Sequence, residues 1–514
     1  LGDISSVRTL NSQAISSQFA LYSPVISCFS HGCIKLGTFM DDHFATLNQS
    51  HPSQPDYDLA LRHSPRIHFD AKEPFFPSVV GYTVFRHEID SPSFRRRLTL
   101  PNGAVTGIEY AVYWDFDIQH LYELEHIWLY LDADENIVFA EASWHGGLHE
   151  MKNADGSVPL EDGHLTLYSE PGKHAFAPIT DWLLKRSETT IASCGKHAGK
   201  GGLLVTGLFN GIIQDRTPVS NQLAWTYLER QSFIPSFDFS NVFDLAQVTH
   251  VPWQNLFDWI PGRMTWWSHR LVQEIPPHQR RVLRIAHRGA SAYAQENSPT
   301  AMRKAAELGS DMVEVDVRLT ADRVPVIAHD ENLKRVFGVS GTVSEFTYDE
   351  LVALTPADRE PIMTFEQLIT FCRSLHMGLY LDIKQIGRDT GQLMLDVVKK
   401  HGMLDGVIFA SFRPDWLAEI KHAEPQAMTS VLFSSTHVDP VAQARAIGCD
   451  YVHPCWEYLD APHTLLEGQW MDRVRGAGLG VICWHEERPH VIRALQDLGV
   501  NGICSDEPDL LLPA

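Results

Sequence analysis

The sequence predicts a multidomain chain in which an antiparallel β-sandwich is followed by a C-terminal (β/α)8 barrel. Three observations carry this reading. Apolar runs of strand length recur at 285, 313, 381, 407–412, 429–433, 451–455, 481–484 and 502–505, separated by helical stretches. Eight strands alternating with helices make a closed parallel barrel. Between residues 59 and 178 the strand-length runs 66–69, 108–116, 127–131, 137–142 and 164–168 are divided by turn chemistry such as Asp132-Ala133-Asp134, the pattern of a sandwich. A polar, proline-paired stretch, 274–281, lies between the two halves. At 514 residues the chain is too long for one core, and two large domains fit best. The expected organisation is an irregular arm over 1–57, a sandwich over 58–273, a linker over 274–281 and the barrel over 282–514.

Composition narrows the function classes. A formal charge of −22 argues against a nucleic-acid partner, which needs a basic surface. With 44% hydrophobic residues and no run approaching about 20 apolar residues, no transmembrane segment is expected. Cys455, Cys483 and Cys504 fall in apolar strands and read as small buried residues, while Cys28 and Cys33 are spaced to pair. The expected location is cytoplasmic or peripheral to a membrane. Secretion after removal of a leader is the alternative, since the chain opens on Leu1.

The chemistry concentrates in 284–330. A buried strand leads into His287-Arg288-Gly289, which puts the imidazole at a strand tip. Asn297 or Ser298 then caps a helix with Pro299 in its first turn, and Gly309 stops it. Glu314 and Asp316 are two apart on the next strand, so their carboxylates share a face. Two ionised carboxylates forced together need a cation, and all-oxygen ligands favour Mg or Ca over Zn. The gap 321–323 is too short for a parallel crossover, so a hairpin is expected to fold His329 back beside the acid pair. At the end of the strand near 381, Asp382 and Lys384 alternate inward, giving a third carboxylate for a metal and a cation for phosphate.

The order HRG, EN with Ser298, E-V-D-V, T-x-D and H-D-x-x-L-x-R resembles the glycerophosphodiester phosphodiesterase family from Arg284 to the C-terminus. The resemblance implies a barrel that cleaves phosphodiesters with one divalent metal. It makes His287 and His329 acid and base, Glu314 and Asp316 metal ligands, and Arg288 a phosphate clamp. Asp382 stands where the family usually has Glu. Trp484 stands where the family has Trp-Thr and would wall the pocket, with core packing as the competing reading. His485, Glu486 and Glu487 depart from the family's Thr-Val-Asn, which bears on the leaving group. Asp506 and Pro508 match its terminal turn and read as structural.

In the N-terminal half, Asp115, Asp117, His120, Glu123, Glu125 and His126 crowd into twelve residues. H-x-x-E-x-E-H followed by Ser143-Trp144-His145-Gly146 resembles necrosis- and ethylene-inducing-peptide-like proteins and their relatives named after vacuolar protein sorting protein sixty-two. By that resemblance His120, Glu123 and Glu125 form a second divalent-metal or head-group site; a salt-bridged cluster at a sheet edge is the competing reading. The tryptophan-rich run 253–267 is expected to pack between the domains, with a membrane interface as the rival. The expected function is metal-dependent hydrolysis of glycerophosphodiesters or lipid head-group diesters to an alcohol and glycerol phosphate. The rivals are a phospholipase D type activity on lysophospholipids or sphingolipids, and a non-catalytic lipid-binding or cytolytic protein.

Overall fold

The structure, a computed structural model, describes residues 42–512 apart from 386 and 388. The Cys28 and Cys33 pairing lies outside the described residues. The arm is not irregular throughout: a 3-10 turn occupies His43–Thr46, and a helix begins at Gln54, capped by Ser53 with Pro55 in its first turn.

Among the described residues the N-terminal domain contains two large sheets and a two-stranded pair, Ile89–Asp90 with Arg97–Leu98. One orders Thr249–Pro252, Val79–Phe85, Thr106–Phe116, His120–Leu131, Ile137–Trp144 and Gly147–Glu150, with Gly202–Leu203 added beside His120–Leu131. The other orders Phe176–Ala177, His164–Ser169, Arg66–Phe69 and Asn241–Asp244, with Leu160–Glu161 paired to His164–Ser169. Ile67, Phe69, Leu165 and Leu167 of the second sheet share one buried core with Val80, Tyr110, Val112 and Leu129 of the first. The sheets are mixed rather than wholly antiparallel. Arg66–Phe69 runs parallel to His164–Ser169, and Thr249–Pro252 parallel to Val79–Phe85. These pairs join segments far apart in sequence, so the connection is long enough for a crossover, which a reading of local turns does not detect.

The tryptophan run is part of one helix, Trp253–Glu274. Trp253, Trp259 and Trp267 are buried on the N-terminal sheet's side, not between the domains as expected from the sequence. Trp259 meets Tyr113 edge-on at 5.6 Å, and Trp267 meets Phe116 at 5.5 Å. Gly81 permits the approach: a Cβ there would lie 2.9 Å from Leu256. Asp115 binds the buried Arg263 guanidinium with two bonds of 2.7 and 2.8 Å, and Trp266 lies over that guanidinium at 4.3 Å. The joint to the barrel is made by another helix, Pro218–Glu229, whose Gln222 amide donates to the Arg281 and Val500 carbonyls. Residues 45–514 accordingly cluster as one compact unit.

The barrel closes as read from the sequence. Leu283–His287, Met312–Leu319, Gly378–Ile383, Val407–Ser411, Met428–Phe433, Tyr451–Pro454, Gly480–Cys483 and Gly502–Ser505 pair in parallel order, and the first bonds to both the second and the last. Pro325–Ile327 adds antiparallel to Met312–Leu319, the expected hairpin. Cys455, Cys483 and Cys504 are buried free thiols. No helix among the described residues is long and apolar enough to cross a membrane.

Buried neutral histidines give the fold a pH dependence. Burial pushes His126 down to about 3 and His250 to about 4, and His453 lies well below its ordinary value for the same reason. The unfolded chain protonates these rings near pH ~6.5, whereas the folded chain resists until much lower pH. Their contribution is therefore full above that value and is lost as pH falls toward 4. The melting temperature is expected to drop between pH 7 and pH 4 in a thermal scan. His250→Gln, which can keep the bonds to Ser64 and Val248, is expected to reduce the drop, and an unchanged slope would exclude His250 as a contributor.

Candidate active site

Three carboxylates meet inside the C-terminal mouth of the barrel. Parallel register sets Asp316 opposite Asp382, and Glu314 lies two residues before Asp316 on the same face. One oxygen from each lies within 4.8 Å of the others, and all three residues are buried. Glu314 Oε1 and Asp382 Oδ1 have no hydrogen-bond partner. Lys384 pairs with Asp382 and lies 3.3 Å from Asp316.

Burial, reinforced by the charges of Asp316 and Asp382, holds the Glu314 carboxyl well above its ordinary value. Burial also raises Asp382, although Lys384 opposes it. Burial pushes Asp316 upward too, but Lys384, His329 and Arg288 outweigh it and leave Asp316 low. Burial and mutual repulsion oppose ionisation of Glu314 and Asp382, even with Lys384 and Arg288 beside the cluster. A divalent cation would relieve this, and the all-oxygen donor set with two unpaired oxygens fits Mg or Ca.

Two histidines flank the acids, and each is held at Nδ1 by an aspartate. His287 Nδ1 donates to Asp506 at 2.7 Å, and Ser291 donates to the same oxygen at 2.7 Å. His329 Nδ1 donates to Asp330 at 2.6 Å. With the proton on Nδ1, Nε2 of each ring is left for substrate. His287 Nε2 lies 3.8 Å from Glu314. The Arg335 hydrogen bond holds the Asp330 carboxyl down at about 2. Arg335 also forks onto Glu296, at 2.6 and 2.7 Å.

Local backbone places the Arg288 guanidinium. Arg288 at φ 55° and Gly289 at φ 80° take successive left-handed conformations where the chain leaves the first strand. A Cβ on Gly289 would lie 2.7 Å from the Ala301 Cβ. The turn delivers the Arg288 amide to Glu314 at 3.0 Å and its Nε to within 3.5 Å of Asp316. Asn297, also left-handed, donates to Asp316 at 3.1 Å, while Ser298 caps the helix Pro299–Glu307.

A cavity of about 360 Å³ opens above the acids, lined by His287, Arg288, His329, Lys384, Trp484 and His485 among others. Trp484 forms a wall, with the Lys384 ammonium 5.5 Å from its ring centre and His453 at 4.6 Å. His485 stacks on His287 at 4.9 Å with the rings 7° from parallel, and its Nδ1 donates to Glu487 at 3.0 Å.

The sequence profile of the glycerophosphoryl diester phosphodiesterase family matches residues 287–510. A Bacillus subtilis protein named for glycerophosphodiester phosphodiesterase activity, YhdW, is 30% identical over 247 residues, spanning 44% of this chain and 96% of its own. The chain belongs to the glycerophosphoryl diester phosphodiesterase family. A glycerophosphodiester phosphodiesterase of Caldanaerobacter subterraneus is 27% identical over 242 residues, 45% of this chain and 97% of that protein. Among solved structures, an Oleispira antarctica phosphodiesterase in complex with the product sn-glycerol-3-phosphate aligns at 24% identity and a TM-score of 0.40, over 44% of this chain and 94% of that one. This member of the glycerophosphoryl diester phosphodiesterase family is a phosphoric diester hydrolase.

Glu314, Asp316 and Asp382 form this family member's three-carboxylate cluster, and His287, Arg288, His329, Lys384 and Trp484 line the cavity. Asp506, read from the sequence as a structural turn residue, instead holds His287. Its contact spans 219 residues and leaves no local signal. Glu296 and Asp330 lay inside the motifs, and Arg335, on the short helix Lys334–Phe337 after the hairpin, ties the two together.

In the N-terminal domain Asp117, His120 and Glu123 offer oxygens and a nitrogen within 4.8 Å of one another. His120 lies 3.5 Å from Asp117 and 3.7 Å from Glu123, and Lys173 pairs with Asp117. Glu125 is not in that trio. It is buried and accepts from the Ser143 hydroxyl, and burial together with Glu123 pushes its carboxyl up to about 8.

Proposed function

We propose that the barrel hydrolyses glycerophosphodiesters to an alcohol and glycerol phosphate with one divalent cation, Mg or Ca, held by Glu314, Asp316 and Asp382. The observation that carries this reading is the buried three-carboxylate cluster with two unpaired oxygens beneath two aspartate-held histidines. When bound, the cation supplies Lewis-acid charge toward the phosphoryl oxygens. Arg288 and Lys384 bind the remaining phosphoryl oxygens and offset the charge that grows on them as the bond breaks. One histidine takes the proton of the attacking hydroxyl, from water or a neighbouring substrate hydroxyl, and the other protonates the departing alcohol oxygen. Asp506 and Asp330 accept from Nδ1–H of each ring, so that one neutral ring takes a proton at its bare Nε2 while the other, as an imidazolium, gives up the proton on its Nε2. Trp484 packs against the substrate's alcohol side.

On this reading residues 282–514 are the catalytic domain and 274–281 its boundary. Lipid head-group diesters are the wider substrate class, reached by peripheral contact with a membrane. Hydrolysis of glycerophosphocholine, followed with and without chelator, tests the proposal. Turnover that disappears with chelator and returns with Mg or Ca is expected. Chelator-resistant turnover contradicts the metal assignment, and turnover of lysophospholipid alone contradicts the substrate.

We also propose a second cation site at Asp117, His120 and Glu123, supported by their mutual distances and mixed donor set. His120→Ala with Glu123→Gln is expected to remove one bound cation, counted by elemental analysis, while glycerophosphocholine turnover stays within about twofold of the parent. An unchanged cation count contradicts the second site.

A further inference from the structure

A second cavity, of about 300 Å³, lies at the opposite end of the barrel from the catalytic groups. Its floor is the N-terminal ends of the barrel strands, where Leu283, Met312, Ile408, Met428 and Tyr451 face it. Its cover is the N-terminal domain, through Leu204 and Trp225. The volume falls within the range of about 300–1,000 Å³ typical of small-ligand sites. The wall is largely apolar, and its polar members are already engaged. Gln222 and Asn501 are committed to backbone carbonyls across the domain joint. Asn221 accepts from the Leu203 amide. Arg216 pairs with Asp405, and Arg281 pairs with Glu229 and Asp311 while lying over the Trp225 ring at 4.4 Å.

Lys200 is the exception. It lines the cavity, and Asp311, already bound by Arg281 and Arg284, is the carboxylate that attracts it. Nearby, the His197 and His376 rings meet at 5.6 Å, and His376 also lines the cavity. Lys196 and Lys200 are close enough to His197 to push its protonation downward, after burial itself. Asp311, the carboxylate facing this group, is shared by Arg281 and Arg284. In a chain with a formal charge of −22, Lys200, Arg216, Arg281 and His376 all line this cavity. Lys200 is solvent-exposed, so its ammonium stands where the cavity meets water, the place a charged head group would occupy.

We propose that this cavity binds an anionic single-chain amphiphile, with the alkyl chain between Trp225, Met312, Ile408 and Met428 and the head group on Lys200. A fatty carboxylate and an alkyl phosphate monoester share this chemistry. The site is independent of the catalytic reading, because no residue assigned to catalysis lines it.

The test is calorimetric titration of the full-length protein with dodecanoate and with dodecyl phosphate, each below its critical micelle concentration. Dodecyltrimethylammonium serves as the cationic control. Glycerol phosphate is present throughout, to keep dodecyl phosphate off the catalytic face. One anion bound per chain is expected, and the tighter of the two identifies the natural head group. Lys200→Glu is expected to weaken binding at least tenfold. Leu204→Trp, which fills the cavity, is expected to abolish it. Both variants should retain parental turnover of glycerophosphocholine, which shows that they are folded. The proposal is overturned if neither anion binds, if the cation binds as tightly, or if both folded variants bind like the parent.

Discussion

Asp382→Asn is expected to lose at least 10- to 100-fold in both cation affinity and kcat. Losing a partner that merely orients a metal ligand costs about that much, and a direct ligand should cost no less. Asparagine keeps the size and removes the charge that, with Glu314 and Asp316, makes the cluster attractive to a dication. Asp382→Glu should be milder, because it restores the residue usual in the family, although the longer side chain enters a site already filled by the Lys384 ammonium. Lys384→Ala should differ in kind. Cation affinity should hold or rise, because a competing positive charge leaves the carboxylates, whereas kcat/KM should fall through loss of phosphate binding. Metal titration and steady-state rates on the three variants separate these outcomes. If Asp382→Asn binds metal and turns over like the parent, Asp382 is not a ligand.

On the proposed mechanism His287→Asn removes a proton-transfer group, and a loss of about 10²- to 10⁴-fold in kcat is expected. Asp506→Asn should follow it in direction at smaller size. The amide can still meet His287 Nδ1 but no longer favours the tautomer that leaves Nε2 to the substrate. Cation affinity should be nearly unchanged in both variants, since neither residue belongs to the three-carboxylate cluster. A rate loss accompanied by an equal loss of metal would instead place His287 among the ligands. Substrates with a better leaving group distinguish the two proton-transfer roles: His287→Asn is rescued by them if His287 protonates the departing oxygen, and is not if it serves the nucleophile.

The barrel was legible because its signals are local. Alternation two residues apart put Glu314 and Asp316 on one face, and a three-residue gap forced the hairpin that returns His329. Asp382 was reachable too, since parallel register sets it opposite Asp316. What escaped was what distant segments supply. Asp506 holds His287 across 219 residues, and the His485 ring lies on His287 only because the barrel closes its last strands against its first. In the N-terminal half the strands were visible from their turns, but the parallel pairings were not. The tryptophan helix shows a further limit. Aromatic content demands burial without naming the surface, and here the surface was the sheet carrying Gly81, Tyr113 and Asp115.

On the proposed reading, the three barrel carboxylates form the cation site on which hydrolysis depends. Calorimetric titration of Mg and Ca into a His120→Ala, Glu123→Gln background tests it most directly, because any N-terminal site is then removed from the count. The expected result is one bound cation per chain, lost on adding Glu314→Gln with Asp382→Asn, together with glycerophosphocholine turnover. A cation that still binds with parental affinity in that variant would contradict the account.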